Sequence, residues 1–165
     1  MNYTKDILSN KELSFLIENL NQTKILTFEE AQEAWKDTHP YILNKKSGVS
    51  PTTFQVYNTE NEKLNNWLTD KFCKNKIVDS LFTMKYREGD FASKHKDFLR
   101  NVTIILLTDD FDGGRFLIED SDIDLSKLGE YVMLDGRKHN HEVTKITRGI
   151  RKALVIFFKP QTTII

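Results

Sequence analysis

Two nearly continuous apolar runs in the second half of the chain restrict the fold more than any other feature. Residues 102–107 read Val-Thr-Ile-Ile-Leu-Leu, and residues 153–158 read Ala-Leu-Val-Ile-Phe-Phe. Runs of this length and β-branched content are typical of strands that are covered on both faces. The sequence therefore predicts a sheet with further structure packed on each side of it.

The residues before position 77 have a different character. Helices are predicted over about 10–20, 28–37 and 60–75, because apolar residues recur there at helical spacing. Ser9, Thr27 and Thr59 stand where helix-capping side chains are preferred. A short strand is predicted over 53–57, between the second helix and the third.

From residue 77 onward, short β runs alternate with turn signals. Strands are predicted near 80–87, 95–98, 102–108, 115–119, 130–135, 141–147 and 151–159. Seven or more strands at this spacing indicate a sandwich or a barrel. We therefore predict one domain over 1–165, mainly β with amino-terminal helices (α+β). Residues 1–76 would form a mostly helical support region that covers an outer face, and residues 77–160 the β core.

The composition excludes several classes of protein. The 165 residues suit one domain, and 24 Lys+Arg balance 24 Asp+Glu, so no basic field is present for nucleic acid. No apolar run is long enough for a membrane span, and the first residues lack the apolar stretch of a signal peptide. Cys73 is the single cysteine, which indicates a reducing compartment. We expect a cytoplasmic protein without membrane or nucleic-acid partners, and the oligomeric state stays open.

Three residues have the spacing of a metal site. His95 and Asp97 are two apart, and residues i and i+2 of a strand point to the same face. His141 begins another β run 44 residues later. Two histidines and one carboxylate form the facial triad of non-haem Fe(II) oxygenases, which leaves coordination positions open for other ligands.

Arg151 follows His141 by ten residues, across the turn Thr147-Arg148-Gly149. This pattern indicates a strand, a tight turn and a return strand, which would bring Arg151 back beside His141. A guanidinium in that place can form two parallel hydrogen bonds with a carboxylate.

These residues together resemble the signature of the 2-oxoglutarate/Fe(II)-dependent dioxygenases, and the prolyl 4-hydroxylase-like branch in particular. The similarity also covers Tyr86-x-x-Gly89, the core run 100–107, the Gly-Gly turn in 111–116, the run 129–134 and the closing pattern from His141-Glu142-Val143 to Gly149-Ile150-Arg151. It extends over about residues 80–160. The resemblance implies a double-stranded β-helix (jelly-roll) barrel flanked by helices.

The resemblance also implies roles for individual residues. His95, Asp97 and His141 would bind Fe(II), and Arg151 would bind 2-oxoglutarate; these four are the implied catalytic set. Tyr86 would be a second contact to co-substrate or substrate. The family often has a further polar group two residues after the basic one and sometimes a tyrosine on the core strand, where this chain has Ala153 and Leu107. Thr103 is considered as an alternative source of a hydroxyl.

The implied reaction converts 2-oxoglutarate and O2 to succinate and CO2 while a substrate C–H bond is hydroxylated, with ascorbate as a possible reductant. The substrate would be a peptidyl or small-molecule side chain. Two alternatives are a non-catalytic metal-binding jelly-roll module and a nucleic-acid oxidative demethylase. His139 could compete with His141 as a ligand, and Asp120-x-Asp122-x-Asp124 begins like a calcium loop but lacks its glycine and its final glutamate.

Overall fold

The computed structural model of the protein describes residues 3–35 and 53–161. Within these ranges the chain forms three helices and thirteen strands. The helices are α1 (Asn10–Asn19), α2 (Phe28–Trp35) and α3 (Glu62–Phe72). The strands are β1 (Tyr3–Ile7), β2 (Gln22–Thr27), β3 (Thr53–Tyr57), β4 (Lys76–Tyr86), β5 (Ala92–His95), β6 (Asn101–Leu106), β7 (Phe111–Gly113), β8 (Phe116–Ile118), β9 (Ser121–Asp122), β10 (Glu130–Asp135), β11 (His141–Val143), β12 (Ile146–Gly149) and β13 (Arg151–Pro160).

The strands form antiparallel sheets of seven, four and two strands. The seven-stranded sheet has the order β1-β10-β6-β13-β4-β3-β2, the four-stranded sheet has the order β5-β11-β8-β9, and β12 pairs with β7. The two apolar runs are β6 and β13, which lie side by side near the middle of the large sheet. The chain is thus mostly β, and the prediction that these two runs are interior strands is confirmed.

The two faces of the seven-stranded sheet pack against different partners. Along β13, Ala153, Val155 and Phe157 point to one face and belong to an inner cluster that also contains residues of the four-stranded sheet. Leu154 and Ile156 point to the other face and belong to an outer cluster that contains residues of α1 and α3. Because side chains alternate along a strand, one apolar run supplies both clusters.

Local sequence explains where the helices begin. Ser9 and Glu12 form a capping box at the start of α1, with each side chain bonded to the other's backbone N–H. Thr27 and Glu30 exchange the same two hydrogen bonds before α2. The third helix begins later than predicted, because Asn61 rather than Thr59 accepts from a backbone N–H of the first turn.

The position of α2 differs from the prediction. We expected all three helices to cover one outer face, but only α1 and α3 bury residues in the outer cluster. Ala31 of α2 is fully buried in the inner cluster, against which Phe28 and Trp35 also pack. The Trp35 ring stands 5.5 Å from that of Phe54 and 5.2 Å from that of Phe82. Aromatic contacts with β3 and β4 therefore hold α2 on the inner side.

The expectation for residues 1–76 also lacked two strands that the described part of this region contains. β1 and β2 are strands of the large sheet that the sequence did not reveal, whereas β3 was predicted. Both missed strands are edge strands with one neighbour each, and in β2 only Leu26 is buried. A strand that buries one residue carries little apolar alternation, and alternation is the signal from which strands are predicted. Among the described residues, no helix is long and apolar enough to cross a membrane.

Candidate metal centre

His95, Asp97 and His141 meet at one end of the four-stranded sheet. His95 is the last residue of β5 and lies opposite His141, the first residue of β11, in the strand register. One potential ligand atom from each of the three side chains lies within 4.8 Å of the others. Asp97 and His141 are buried, and the His95 side chain is 11% exposed. Such a group of two imidazoles and one carboxylate suits a divalent transition metal.

Asp97 reaches this point by a different route from the one predicted. We expected a strand over 95–98 to place Asp97 beside His95 by alternation, but β5 ends at His95. The backbone N–H of Asp97 instead donates to the carbonyl oxygen of Gly136, at 2.6 Å. A contact from the turn after β10 therefore holds the carboxylate beside the histidines.

Backbone carbonyls orient both imidazole rings. His95 Nδ1 lies 2.7 Å from the carbonyl oxygen of Ser93, and His141 Nδ1 lies 3.0 Å from that of His139. A carbonyl oxygen only accepts, so Nδ1 carries the hydrogen in each ring. In a neutral ring the Nε2 lone pair is then free to bind a metal. The Nε2 atoms face Asp97, at 3.6 Å for His95 and 3.0 Å for His141.

The charges in the cluster support one another. Burial favours the neutral form of Asp97, but the charge of His141 and hydrogen bonds from both histidines hold the pKa of this carboxyl well below its ordinary value. Burial also opposes charge on His141, yet the Asp97 carboxylate raises the pKa of the imidazole. Without a metal, Asp97 thus favours a proton on His141, and a metal ion bound to the same atoms would take the place of that proton.

Arg151 lines the same pocket from the opposite side. It is the first residue of β13 and lies opposite Tyr86 of β4 in the large sheet, whereas His141 belongs to the four-stranded sheet. The predicted hairpin between His141 and Arg151 is therefore wrong: the chain forms β12 between them and crosses to the other sheet. The two residues nevertheless face one cavity.

The guanidinium of Arg151 is buried and forms no ion pair with any described residue. The residue is 1% exposed, and its Nε and Nη2 have no hydrogen-bond partner among the described residues. Its Cζ lies 5.4 Å from the centre of the Tyr86 ring, a cation–π contact. Burial lowers the pKa of Arg151, and it raises the pKa of the Tyr86 hydroxyl to about 12. Within the described ranges, the Tyr86 hydroxyl has only the Met84 sulfur as a hydrogen-bond partner, at 3.7 Å.

These free donors fit an anionic ligand. A buried guanidinium is costly unless an anion pairs with it, and its two unpartnered nitrogens match the two oxygens of a carboxylate. The rest of the cavity lining is mostly apolar. Its apolar lining consists of Phe82, Met84, Ala92, Ile104, Phe116, Val143, Ala153, Val155 and Phe157.

Thr103 does not reach this pocket. Side chains alternate along β6, so Ile104 faces the cavity and Thr103 points to the opposite side of the sheet, where it lines a separate cavity with Cys73 and Met133. Leu107, the position compared with the family's tyrosine, packs against the outer cluster for the same reason. The prediction that Thr103 contacts the co-substrate is therefore wrong. Ala153, where the family often has a polar group, does line the cavity.

The other candidates from the sequence have different surroundings. His139 is not one of the three clustered residues, and its Nδ1 lies 3.4 Å from a Glu119 oxygen. In the acidic run, the side chain of Arg115 takes the place that a calcium ion would have in a calcium loop, because it donates to both Asp122 and Asp124. His39 precedes Pro40, so the sequence predicts a turn or surface position for it; it lies outside the described residues.

Sequence reasoning missed the groups that orient the ligands. These are the backbone carbonyls of Ser93, His139 and Gly136. A backbone carbonyl is present in every residue, so nothing in the sequence distinguishes those that face a site.

Comparison with known proteins shows the fold. No protein-family model and no curated protein matches the sequence. A viral collagen prolyl hydroxylase from Paramecium Bursaria Chlorella virus-1, solved as its 2OG complex, superposes with a TM-score of 0.61 at 13% identity over 98% of this chain and 97% of that one. A Trichoplax adhaerens prolyl hydroxylase, in complex with a hypoxia inducible factor peptide fragment, gives 0.60 at 12% identity over 95% and 83%.

A third similar structure matches over a shorter length. The chain spans about half, 51%, of a 2OG-Fe(II) oxygenase family protein from Burkholderia pseudomallei, with 19% identity, 60% of this chain covered and a TM-score of 0.47. The first two matches, which cover 95% or more of this chain, are the informative ones. The chain has the fold of the prolyl hydroxylases, as the resemblance of its motifs implied.

Proposed function

We propose that the protein is an Fe(II)- and 2-oxoglutarate-dependent oxygenase. The observation that carries the proposal is Arg151, whose buried and unpartnered guanidinium shares one cavity with the cluster of His95, Asp97 and His141. A group of metal-binding side chains alone would suit many kinds of chemistry. Such a group with a buried carboxylate receptor beside it suits a co-substrate that combines a chelating group with a distant carboxylate.

The residues present fit Fe(II). Nε2 of His95, Nε2 of His141 and the Asp97 carboxylate would hold the ion, and three protein ligands leave positions open for co-substrate and O2. Bound there, Fe(II) would supply the activation of O2 that oxidises 2-oxoglutarate to succinate and CO2. The protein's part is to fix the two rings through their Nδ1 atoms, so that the ligand atoms are in place before the metal binds.

Arg151 and Tyr86 would bind the distal carboxylate of 2-oxoglutarate. The two free guanidinium nitrogens can form a fork with its oxygens, and the Tyr86 hydroxyl can donate to it in place of its weak contact with sulfur. Ala153 and Val155 continue the wall of the cavity from Arg151 and are buried and apolar. This wall would exclude water from the co-substrate, which strengthens the electrostatic attraction to Arg151.

The finer assignment is a hydroxylase of the prolyl 4-hydroxylase-like type. In it the seven- and four-stranded sheets would be the two walls of a double-stranded β-helix, and a substrate C–H bond would be hydroxylated. The peptide fragment bound to the Trichoplax adhaerens enzyme supports a peptidyl substrate, with a small-molecule side chain as the alternative. Ascorbate would serve as a reductant that keeps the iron in the Fe(II) state.

Anaerobic titration with Fe(II) and 2-oxoglutarate tests the proposal. The wild-type protein should develop the weak visible charge-transfer band of the chelated pair, and admission of O2 should then yield succinate. Arg151→Ala should lose the band at moderate 2-oxoglutarate concentrations because the carboxylate has no receptor. His141→Ala should lose it because the metal has lost a ligand.

Thr103→Val is the matched control, since Thr103 is buried on the opposite face of β6. It should behave as the wild type in both measurements. Iron binding without the band or succinate would contradict the proposed activity and favour a non-catalytic metal-binding module. Absence of iron binding in the wild type would contradict the metal centre itself.

A further inference from the structure

Gly136 lies in the turn after β10, in direct contact with Asp97. Its carbonyl oxygen accepts from the Asp97 N–H at 2.6 Å, and its own N–H donates to the carbonyl oxygen of Arg100 at 2.9 Å. The two bonds connect the end of β10 with the segment that joins β5 to β6. This segment carries the one carboxylate of the candidate metal centre.

No space exists for a side chain at this position. A Cβ atom on Gly136 would lie 2.7 Å from Val102 Cγ2, 2.8 Å from Asp97 Cβ and 2.9 Å from Asp97 Oδ2. All three distances are shorter than 3.0 Å, and real Cβ atoms essentially never approach another heavy atom that closely. Oδ2 is also the oxygen that lies 3.0 Å from His141 Nε2. A methyl group here would therefore press on the atom that faces the histidine.

The backbone conformation does not explain the glycine. Five other glycines have φ values of +59° to +92°, where side chains are strained, but Gly136 is not among them. Residue 136 is thus not in the left-handed region that favours glycine. What the position requires is the empty space beside Asp97.

We infer that Gly136 is a positioning residue for Asp97. Because glycine has no side chain, the space beside it stays empty, and the Asp97 carboxylate needs that space to face His95 and His141. The inference rests on the proposed metal centre but goes beyond it, since it assigns a function to a residue that contacts no metal. It predicts that one added methyl group weakens metal binding by moving Asp97.

Mn²⁺ binding to the full chain provides the test, followed by the loss of the EPR signal of the free ion. Gly136→Ala should weaken Mn²⁺ binding by about tenfold or more, the range found when a contact that orients a metal ligand is lost. Gly129→Ala is the control for general destabilisation. Residue 129 has φ +84° and contacts Leu8 and Leu13, and a Cβ there would meet atoms at 3.5 Å or more. This control should lower Tm through backbone strain and leave the Mn²⁺ affinity unchanged.

A double variant separates Asp97 from ordinary packing. Val102→Ala removes the Cγ2 atom that a Cβ at position 136 would approach most closely, but leaves both contacts with Asp97. Gly136→Ala combined with Val102→Ala should therefore regain part of the Tm lost in Gly136→Ala while Mn²⁺ binding stays weak. Val102→Ala alone supplies the reference for both quantities.

Three results would overturn the inference. Unchanged Mn²⁺ affinity in Gly136→Ala would refute the positioning role and leave the proposed function intact. Recovery of the affinity in the double variant would show that Val102 packing, and not Asp97, is responsible. Failure of the wild-type protein to bind Mn²⁺ or Fe(II) would overturn this inference and the proposed function together.

Discussion

At the scale of single residues, Arg151 is the most informative feature of the molecule. Its side chain is as buried as the aromatic residues of the inner cluster, yet its Nε and Nη2 bond to no carboxylate among the described residues. A buried guanidinium without an anion costs stability, and the Tyr86 ring offsets only part of that cost. An arginine in this place therefore stabilises the protein only when an anion is bound to it.

Arg151→Met should consequently make the ligand-free protein more stable. The substitution keeps an unbranched apolar stem beside Tyr86 and removes the unpaired charge, so we expect a gain of about 1 kcal/mol or more. For a domain of this size that corresponds to a rise in Tm of about 2–4 °C. With metal present throughout, 2-oxoglutarate should raise the Tm of the wild type and have little effect on the variant, which keeps its metal ligands but has lost the carboxylate receptor. Differential scanning calorimetry of the ligand-free proteins, and of the metal-loaded proteins with and without 2-oxoglutarate, measures both effects.

Arg115→Met is the matched control for this experiment. Arg115 forms a fork with Asp122 and a further bond with Asp124, at distances of 2.7–3.1 Å, and its side chain is 40% exposed. Loss of these bonds should lower the stability by about 1 kcal/mol or less. If Arg151→Met also lowered the Tm, the buried charge would not be unpaired, and the argument for an anion receptor would lose its main support.

At the scale of secondary-structure elements, the sequence predicted interior strands well and edge strands poorly. β6, β10 and β13 are confirmed close to their predicted bounds because interior strands carry long apolar runs. β1 and β2 were missed because each has a neighbour on one side only. The sequence thus predicts the central strands of the sheet but not its two edge strands.

The same distinction applies to the candidate site. Spacing and resemblance brought together His95, Asp97, His141 and Arg151, which the structure places around one cavity. The routes were wrong in two cases, since Asp97 lies beyond the end of β5 and Arg151 begins a strand of the other sheet. Local patterns predict which residue types converge, but backbone contacts such as that of Gly136 leave no signal of their own.

Glu130 holds the edge strand β1 against β10. Its carboxylate accepts from the backbone N–H groups of Ser126 and Lys127 and pairs with Lys5 of β1 at 2.8 Å. Burial alone would raise the pKa of Glu130, but these partners hold it below its ordinary value of 4.5. A carboxyl with a lowered pKa in the folded state stabilises the protein above its unfolded-state pKa, and the stabilisation is lost as the pH falls through the folded-state value.

Glu130→Gln should therefore destabilise the protein at pH 7 and have a smaller effect in acid. Hydrogen bonds to a charged group contribute about 1.5–3 kcal/mol, and glutamine retains a neutral acceptor, so we expect a loss of about 1–2 kcal/mol at pH 7. The loss should shrink as the pH falls below about 4. Urea unfolding at both pH values gives the difference. Glu88→Gln, which removes the same charge from an exposed turn, should change the stability little at either pH.

At the scale of the whole molecule, one sheet separates two apolar cores. The inner cluster surrounds the candidate metal centre, and the outer cluster lies beneath α1 and α3. β13 contributes to both by alternation, and it pairs with β4 on one side and β6 on the other. A rearrangement of either core must therefore displace side chains of the same central strand.

This shared strand predicts that the two cores unfold together, as one domain over 1–165 would. The two tryptophans report on them separately, because Trp35 packs against Phe54 and Phe82 on the inner side and Trp67 against Phe15 and Phe72 on the outer side. Trp67→Phe leaves a reporter of the inner core, and Trp35→Phe leaves a reporter of the outer core. In urea, the fluorescence midpoint of each variant should coincide with its own far-UV circular dichroism midpoint. A lower fluorescence midpoint in Trp35→Phe alone would mean that the outer core unfolds first, and that the inner core around the candidate metal centre is stable without α1 and α3.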